Sequence, residues 1–81
     1  KHVKIYMNYH NYDISDWIAC EHCGTTAVDI HHLSGRGIGG SKNKDFIENL
    51  IALCRACHIK AETDKQFNNQ LKELNKHKHS N

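Results

Sequence analysis

Apolar residues occupy every second position from Val3 to Tyr9. A period of two is typical of a half-buried β-strand, so the sequence predicts a strand over residues 3–9. Next along the chain, Ile14, Trp17 and Ile18 are spaced three and four residues apart. This spacing predicts a single helical turn. The first part of the chain is therefore expected to form a strand followed by a helical turn.

The middle of the chain predicts two short strands separated by a glycine-rich loop. Residues 25–33 are rich in β-forming residues and predict the first strand. Residues 49–54 form a short apolar run that predicts the second, although the run is also compatible with a buried helix. Between them, residues 34–41 contain four of the five glycines and predict a flexible loop, and residues 42–48 predict a short helical turn.

The pattern becomes helical from Ala56 onwards. An apolar stripe at helical spacing predicts one long amphipathic helix, formed by Ile59, Phe67, Leu71 and Leu74. Residues 77–81 lack an apolar anchor, so this tail is expected to fray.

The length and composition indicate one small domain. The chain has 81 residues, of which 38% are hydrophobic. A core of this size gives thin stability, so a metal or disulfide staple is expected. No apolar run approaches the ~20 residues that cross a bilayer, which excludes a membrane-spanning protein. The N-terminal sequence does not have the pattern of a signal peptide. Because the first residue is Lys1 and not Met, a fragment or processed chain is expected.

The net charge of +2 is unevenly distributed. Residues 1–32 carry a balance of −2, whereas residues 33–81 carry +4. An anionic partner is therefore expected on the second half of the chain, although a balance of this size is also typical of an ordinary solvated surface.

Four cysteines form two Cys-x-x-Cys pairs separated by thirty residues: Cys20, Cys23, Cys54 and Cys57. A secreted disulfide framework is disfavoured, because the sequence shows no signal peptide. A redox Cys-x-x-Cys is also disfavoured, because it is expected as a single pair beside a βαβ unit and this chain has two pairs. Two such pairs instead favour a four-thiolate structural Zn²⁺ site. Because thiols persist where the environment is reducing, a cytoplasmic location is expected.

The adjacent histidines 31 and 32 lie on a predicted strand, so their side chains point to opposite faces. His58 directly follows Cys57, which the zinc site ties to this strand. One histidine of the pair can therefore face His58 and share a catalytic divalent ion with it: Zn²⁺, Ni²⁺, Mg²⁺ or Mn²⁺. The other histidine of the pair suits the role of general base, because an imidazole has an ordinary pKa of ~6.5. Asp29 shares a face with His31, as a further ligand or as a partner for an imidazole N–H.

Basic residues in the second half are candidates for contacts with nucleic-acid phosphates. Arg36, in the glycine-rich loop, is the best candidate for a direct phosphate contact. The other candidates are generic backbone contacts: Lys42, Lys44, Arg55 and Lys60. The loop lacks the length and the Gly-Lys-Ser/Thr ending of a nucleotide-binding P-loop.

Taken together, these motifs resemble the HNH endonuclease family with a four-cysteine zinc insert. The resemblance covers residues 20–60: the first Cys-x-x-Cys, Asp-Ile-His-His-Leu at 29–33, Gly-Gly at 39–40, and Glu-Asn-Leu-Ile-Ala-Leu-Cys-Arg-Ala-Cys-His at 48–58. It implies an α+β fold: a small, zinc-stapled ββα-metal, treble-clef-like domain with an N-terminal strand and helical-turn extension and a C-terminal helix. The chain is also similar to small HNH proteins common in phage genomes.

The resemblance also implies a role for each motif residue. His32 matches the general base that activates water, and Asn49 matches the asparagine that orients the base and its loop. His31 and His58 match metal ligands. Relatives often have Asp at the position of His31, so an all-imidazole pair shifts the expected preference from Mg²⁺ toward softer ions.

The expected function is a metal-dependent HNH endonuclease that hydrolyses DNA. The alternative is a non-catalytic zinc module that binds nucleic acid or a protein partner; thiol–disulfide exchange is a third, disfavoured by zinc. The expected organisation is an extension packed on the core (1–19), a nuclease domain (20–76) and a frayed tail (77–81). Partners from phage packaging or restriction, and a phage-encoded origin in a bacterial host, fit this reading.

Overall fold

The computed structural model describes residues 2–34 and 45–79. Helix α1 spans His2–Tyr9, strand β1 Asp29–His32 and strand β2 Leu50–Leu53. Helices α2 (Arg55–Thr63) and α3 (Lys65–Lys78) follow, and a 3₁₀ turn at Ile47–Asn49 precedes β2. Within these described ranges, none of the helices has the length and apolarity that a bilayer crossing requires.

The two strands form an antiparallel pair in which Asp29 lies opposite Leu53 and His32 opposite Leu50. Side chains of directly opposed residues point to the same face of a sheet. One face therefore carries His31 together with Ile51, and the other carries His32 together with Leu50. This register determines where both histidines point.

Strand β2 is the centre of the core, because all four of its residues are fully buried. On one face, Leu50 and Ala52 pack with Tyr6 of α1. On the other face, Ile51 and Leu53 belong to the cluster formed with α2 and α3. The result is three layers: α1, the sheet, and the α2–α3 pair. The predicted α+β class and the ββα order of β1, β2 and α2 are confirmed.

The strand predicted for residues 3–9 is wrong, because this segment forms α1. The partly or fully buried positions include His2, Ile5, Tyr6 and His10, which have the i, i+3, i+4, i+8 spacing of a helix. By contrast, Val3 and Tyr9, which the alternation assigned to the core, are exposed. The packing of Tyr6 on β2 therefore outweighs the local alternation of apolar residues in this segment.

The helical turn predicted around residues 14–18 is also wrong. The chain makes a tight turn in which the Asp16 backbone N–H donates to the Asp13 carbonyl, at 2.9 Å. Ile14 is 93% exposed and Trp17 is 62% exposed. The Trp17 indole N–H donates to the Thr26 hydroxyl, at 2.9 Å. Ile14 and Trp17 therefore lie on the surface, whereas Ile18 packs against the cluster that contains Tyr6.

The two predicted strands are present but shorter than expected. Strand β1 covers 29–32 of the expected 25–33, and β2 covers 50–53 of the expected 49–54. Before β1, the chain makes only an isolated bridge between Ala19 and Thr26. Of the helical turn expected at 42–48, residues 42–44 lie outside the described residues, and the 3₁₀ turn occupies 47–49.

The single long helix expected from Ala56 is instead two helices that meet at Asp64. The Asp64 carboxylate accepts hydrogen bonds from the backbone N–H groups of Gln66 and Phe67 and so caps the start of α3. Phe67 and Leu71 are buried as predicted, whereas Ile59 and Leu74 are exposed. Helix α3 continues to Lys78, so residues 77 and 78 of the expected frayed tail are helical.

A polar contact at Glu21 joins both ends of the chain to the sheet. Its Oε2 atom accepts hydrogen bonds from the Tyr6 hydroxyl, at 2.5 Å, and from the Ala52 backbone N–H, at 3.1 Å. Lys78 Nζ donates to Oε1. Burial alone would raise the pKa of Glu21, but the hydrogen bonds from Lys78 and Tyr6 lower it below its ordinary value. The carboxylate therefore stays charged and ties α1 and α3 to β2.

Candidate metal centres and active site

The four cysteines converge into one cluster in which all the Sγ atoms lie within 4.8 Å of one another. Each pair forms a tight knuckle: the Cys23 N–H donates to Cys20 Sγ and the Cys57 N–H to Cys54 Sγ, both at 3.5 Å. The first knuckle closes at Gly24, whose φ of +84° suits glycine. The cluster predicted from the spacing is thus assembled, and it is consistent with a zinc site.

The electrostatics of the cluster favour a cation among the sulfurs. The backbone N–H of Cys57, followed by the Thr25 hydroxyl, lowers the pKa of Cys54 to about 6, so this thiol ionises readily. Burial and then the three neighbouring cysteines raise the pKa of Cys57. Four crowded thiols resist full ionisation unless a cation compensates their charge. The donor set therefore fits a structural metal ion.

A second cluster lies on the α2 face of the sheet, where the register places Asp29 and His31. The rings of His31 and His58 are 5.0 Å apart between centroids. His58 Nδ1 lies 2.9 Å from Asp29 Oδ2, and its Nε2 lies 3.3 Å from Glu62 Oε2. One ligand atom each from His31, His58 and Glu62 falls within 4.8 Å of the others. The structure brings together the predicted ligand pair and adds a carboxylate.

His58 has a carboxylate near each ring nitrogen, and the shorter contact is from Nδ1 to Asp29. In the tautomer whose Nδ1–H donates to Asp29, the Nε2 lone pair lies on the side of Glu62 and is available to a metal ion. A carboxylate that holds the far nitrogen of a metal-binding imidazole is a common arrangement in metalloproteins. Asp29, predicted as either a ligand or an imidazole partner, is thus placed as a partner of His58.

Asn68 of α3 holds His31 in a similar way. The Asn68 Nδ2 atom donates to the Leu33 carbonyl, at 2.7 Å, which orients its Oδ1 toward His31 Nε2, at 2.8 Å. His31 therefore donates from Nε2 and keeps its lone pair on Nδ1. Burial lowers the pKa of His31; the Asn68 hydrogen bond opposes this shift and His58 adds to it. A neutral imidazole is the form that binds metal.

His32 points to the opposite face of the sheet, toward α1. Its Nε2 lies 2.7 Å from Asp45 Oδ1, and its ring lies 4.4 Å from the His2 ring between centroids. His2, His32 and Asp45 also offer ligand atoms within 4.8 Å of one another. The strand alternation thus separates His32 from the His31–His58 cluster, as the sequence predicts.

Asn49 connects the ends of the two strands. Its side chain is buried; Oδ1 accepts from the Ser34 backbone N–H, at 2.8 Å, and Nδ2 donates to the Ser34 carbonyl, at 3.0 Å. The Leu33 N–H donates to the Asn49 carbonyl, at 2.9 Å. Asn49 therefore fixes the backbone of the chain just after His32.

The cationic candidates fall into two groups. Arg36, Lys42 and Lys44 lie outside the described residues. Arg55 Nε lies 3.8 Å from Asp29 Oδ2, and Lys60 Nζ lies 4.6 Å from the centre of the Phe67 ring. Both of these side chains are exposed and have partners within the chain.

A groove of about 1040 Å³ runs along β1 and is lined by residues of all three layers. His2 and His32 line one side, and His31, His58 and Glu62 line the other. Both histidine clusters thus face one open space from opposite sides of the edge strand.

Sequence reasoning missed four polar residues of these clusters. Glu62 could have been found, because it lies four residues after His58 on a predicted helix and so on the same helical face. Asn68 follows the unpredicted break at Asp64. His2 lay in the segment that was assigned to a strand, and Asp45 beside the loop. No local pattern connects these three to the histidine pair.

Comparison with protein-family models matches residues 20–64 to HNH endonuclease. The match spans both cysteine knuckles, the hairpin and α2, and it ends where α3 is capped. Comparisons with curated proteins and with solved structures gave no significant match.

Proposed function

The chain belongs to the HNH endonuclease family, and we propose that it is a metal-dependent endonuclease that hydrolyses DNA phosphodiester bonds. The observation that carries the proposal is the position of His31, His58 and Glu62, whose ligand atoms lie within 4.8 Å of one another and face the same groove as His32. Two imidazoles and one carboxylate, open to a groove, are typical of a catalytic divalent ion.

The ion would be held by His31, His58 and Glu62, and when bound it supplies neutralising charge to the phosphate and the leaving oxygen. Asp29 and Asn68 hold the outer nitrogens of the two imidazoles, so each ring presents a defined lone pair. The donor set suits Zn²⁺, Ni²⁺ or Mn²⁺ better than Mg²⁺, which prefers oxygen ligands.

His32 is the proposed general base. Because Nε2 donates to Asp45, Nδ1 keeps the lone pair that accepts a proton from the attacking water. The resulting imidazolium would be stabilised by the Asp45 carboxylate. Asn49 supports this role indirectly, since it holds the backbone of Ser34 two residues after the base.

The four-cysteine cluster is proposed to hold structural Zn²⁺. It ties the first knuckle to the start of α2 and so fixes His58 relative to β1. Exposed Arg55 and Lys60 beside the cluster are candidates for phosphate contacts, as are Arg36, Lys42 and Lys44. A role in phage packaging or restriction, and a reducing cytoplasmic compartment, complete the proposal.

Incubating supercoiled plasmid with the zinc-loaded protein and each divalent ion in turn tests this function. Nicked or linear product is expected with at least one ion and not with the ion omitted. His58→Ala should lose cleavage while retaining the cysteine-bound zinc, and exposed His77→Ala serves as the matched control. Plasmid retardation on a gel without cleavage by any ion would instead favour a non-catalytic binding module.

A further inference from the structure

The cluster on the α1 face has the donor set of a metal site of its own. His2, His32 and Asp45 offer one ligand atom each within 4.8 Å of one another. They come from three separate parts of the fold: α1, β1 and the chain preceding the 3₁₀ turn. All three are partly buried. The cluster shares no residue with His31, His58 and Glu62.

The donors define the class of ion. Two imidazoles and one carboxylate suit a borderline divalent transition ion such as Zn²⁺, Co²⁺ or Ni²⁺, and do not suit Mg²⁺ or Ca²⁺. Zinc-like bonds of ~2.0–2.1 Å hold neighbouring ligand atoms roughly 3.3 Å apart. The His32 to Asp45 distance of 2.7 Å would therefore need to open by only a few tenths of an ångström.

We propose that His2, His32 and Asp45 form a second, inhibitory site for a zinc-class ion. Binding through His32 Nε2 requires the proton on Nε2 to move to Nδ1, while Asp45 remains a carboxylate and no net proton is released. The neutral imidazole then has no lone pair left to accept a proton from water. An ion at this site thus silences His32 as a base.

The inhibitory part of this proposal rests on the proposed nuclease function, whereas the binding part does not. Because both clusters use imidazole and carboxylate donors, the same ion is expected to activate through one cluster and inhibit through the other. Cleavage should rise with Zn²⁺ concentration and then fall. His2 belongs to the inhibitory cluster alone and is assigned no step in the reaction. Because its ring lies 4.4 Å from the His32 ring, the inhibition of each variant is measured relative to its own maximal rate.

Co²⁺ titration of the protein carrying zinc at its cysteines tests the binding part, with calorimetry for stoichiometry and NMR for location. The wild type and His77→Ala should bind two Co²⁺, whereas His2→Ala and His58→Ala should each bind one. In His58→Ala, where the other cluster has lost a ligand, Co²⁺ should still broaden the His2 and His32 imidazoles, and the His32 broadening should be lost when His2→Ala is added to this variant. Asp45→Asn, with circular dichroism to verify folding, provides a second variant. Two Co²⁺ bound by both His2→Ala and Asp45→Asn, or no broadening of His32 in His58→Ala, would overturn the proposal.

Cleavage measured against Zn²⁺ concentration tests the inhibitory part. His2→Ala should raise the half-inhibitory concentration at least about 10-fold, as loss of one ligand weakens binding. If two ions bind and cleavage is not slowed, the inhibitory role is wrong. If no ion supports cleavage, the proposed function fails, while the Co²⁺ stoichiometry still decides whether the second site exists.

Discussion

His31 and His32 are neighbours in sequence, yet they lie in two different chemical environments. On the α2 face, His31 is 7% exposed and its Nε2 donates to the neutral amide of Asn68. On the α1 face, His32 is hydrogen-bonded to the carboxylate of Asp45. The same side chain is thus placed beside a neutral partner on one face and an anionic partner on the other.

This difference suits the two adjacent histidines to different chemical roles. A buried imidazole beside a neutral amide resists protonation and suits metal binding. An imidazole that donates one N–H to a carboxylate can present its other nitrogen to water, which suits a general base. The sheet supplies the separation, and the layers packed on its two sides supply the different partners.

The largest expected effect is unfolding of the domain, which would disrupt the histidine clusters on both faces of the sheet. Cys54→Ser removes a thiolate ligand from the cysteine cluster, and structural zinc sites contribute ~10–16 kcal/mol of apparent binding energy. Since small domains have a total stability of only ~5–15 kcal/mol, we expect the variant to be unfolded by circular dichroism. Zinc restored to chelated wild type should recover the melting transition. An unchanged melting curve after verified zinc loss would contradict the prediction.

Removing the base should affect one face alone. His32→Ala is expected to lower the cleavage rate by roughly 10²-fold or more while folding and cysteine-bound zinc stay unchanged, as loss of a general base does. Single-turnover cleavage measures the rate of the chemical step. A rate near that of wild type would assign the water activation to another group.

A smaller effect is expected from Asn68, which positions His31 from α3. Asn68→Ala removes the partner of Nε2 and frees the ring, so affinity for the ion at His31, His58 and Glu62 should fall about 10- to 100-fold. The exposed neighbour Asn69→Ala is the matched control. Calorimetry gives the affinity, and long-range ¹H–¹⁵N NMR reports the His31 tautomer. The same metal affinity and the same His31 tautomer in Asn68→Ala and Asn69→Ala would show that Asn68 has only a packing role.

The smallest effect concerns the stability of the α1 face in acid. Burial lowers the pKa of His10 below its ordinary 6.5; Glu21 opposes this shift, and His79 and Lys78 add to it. The unfolded chain therefore binds this proton more readily, so His10 contributes stability above pH 6.5 that is lost as the pH falls toward the folded value. His10→Gln should lessen the decline in unfolding free energy between pH 7 and pH 5.

Denaturant melts of His10→Gln and of the exposed His77→Gln, each compared with wild type, measure that change in slope. The effect should be small, since His10 is only partly buried. Identical slopes in all three proteins would show that α1 does not distinguish the two protonation states.

Sequence alone determined the features that depend on local spacing. Two Cys-x-x-Cys pairs specify the knuckles and their convergence, because short loops between thiols favour one tetrahedral cluster. A strand period of two separates His31 from His32 whatever packs on the sheet. The resemblance to the family also implied roles for Asn49 and His58, and these roles stay predictions.

Only the tertiary structure decided which residues accompany each histidine. The alternation at residues 3–9 favours a strand, but this segment forms a helix in which Tyr6 packs on Leu50 and Ala52. That packing places His2 beside His32, and the cap at Asp64 turns α3 so that Asn68 reaches His31. Such contacts join residues far apart in sequence, and their free energy exists only once the layers meet, so no local pattern encodes them.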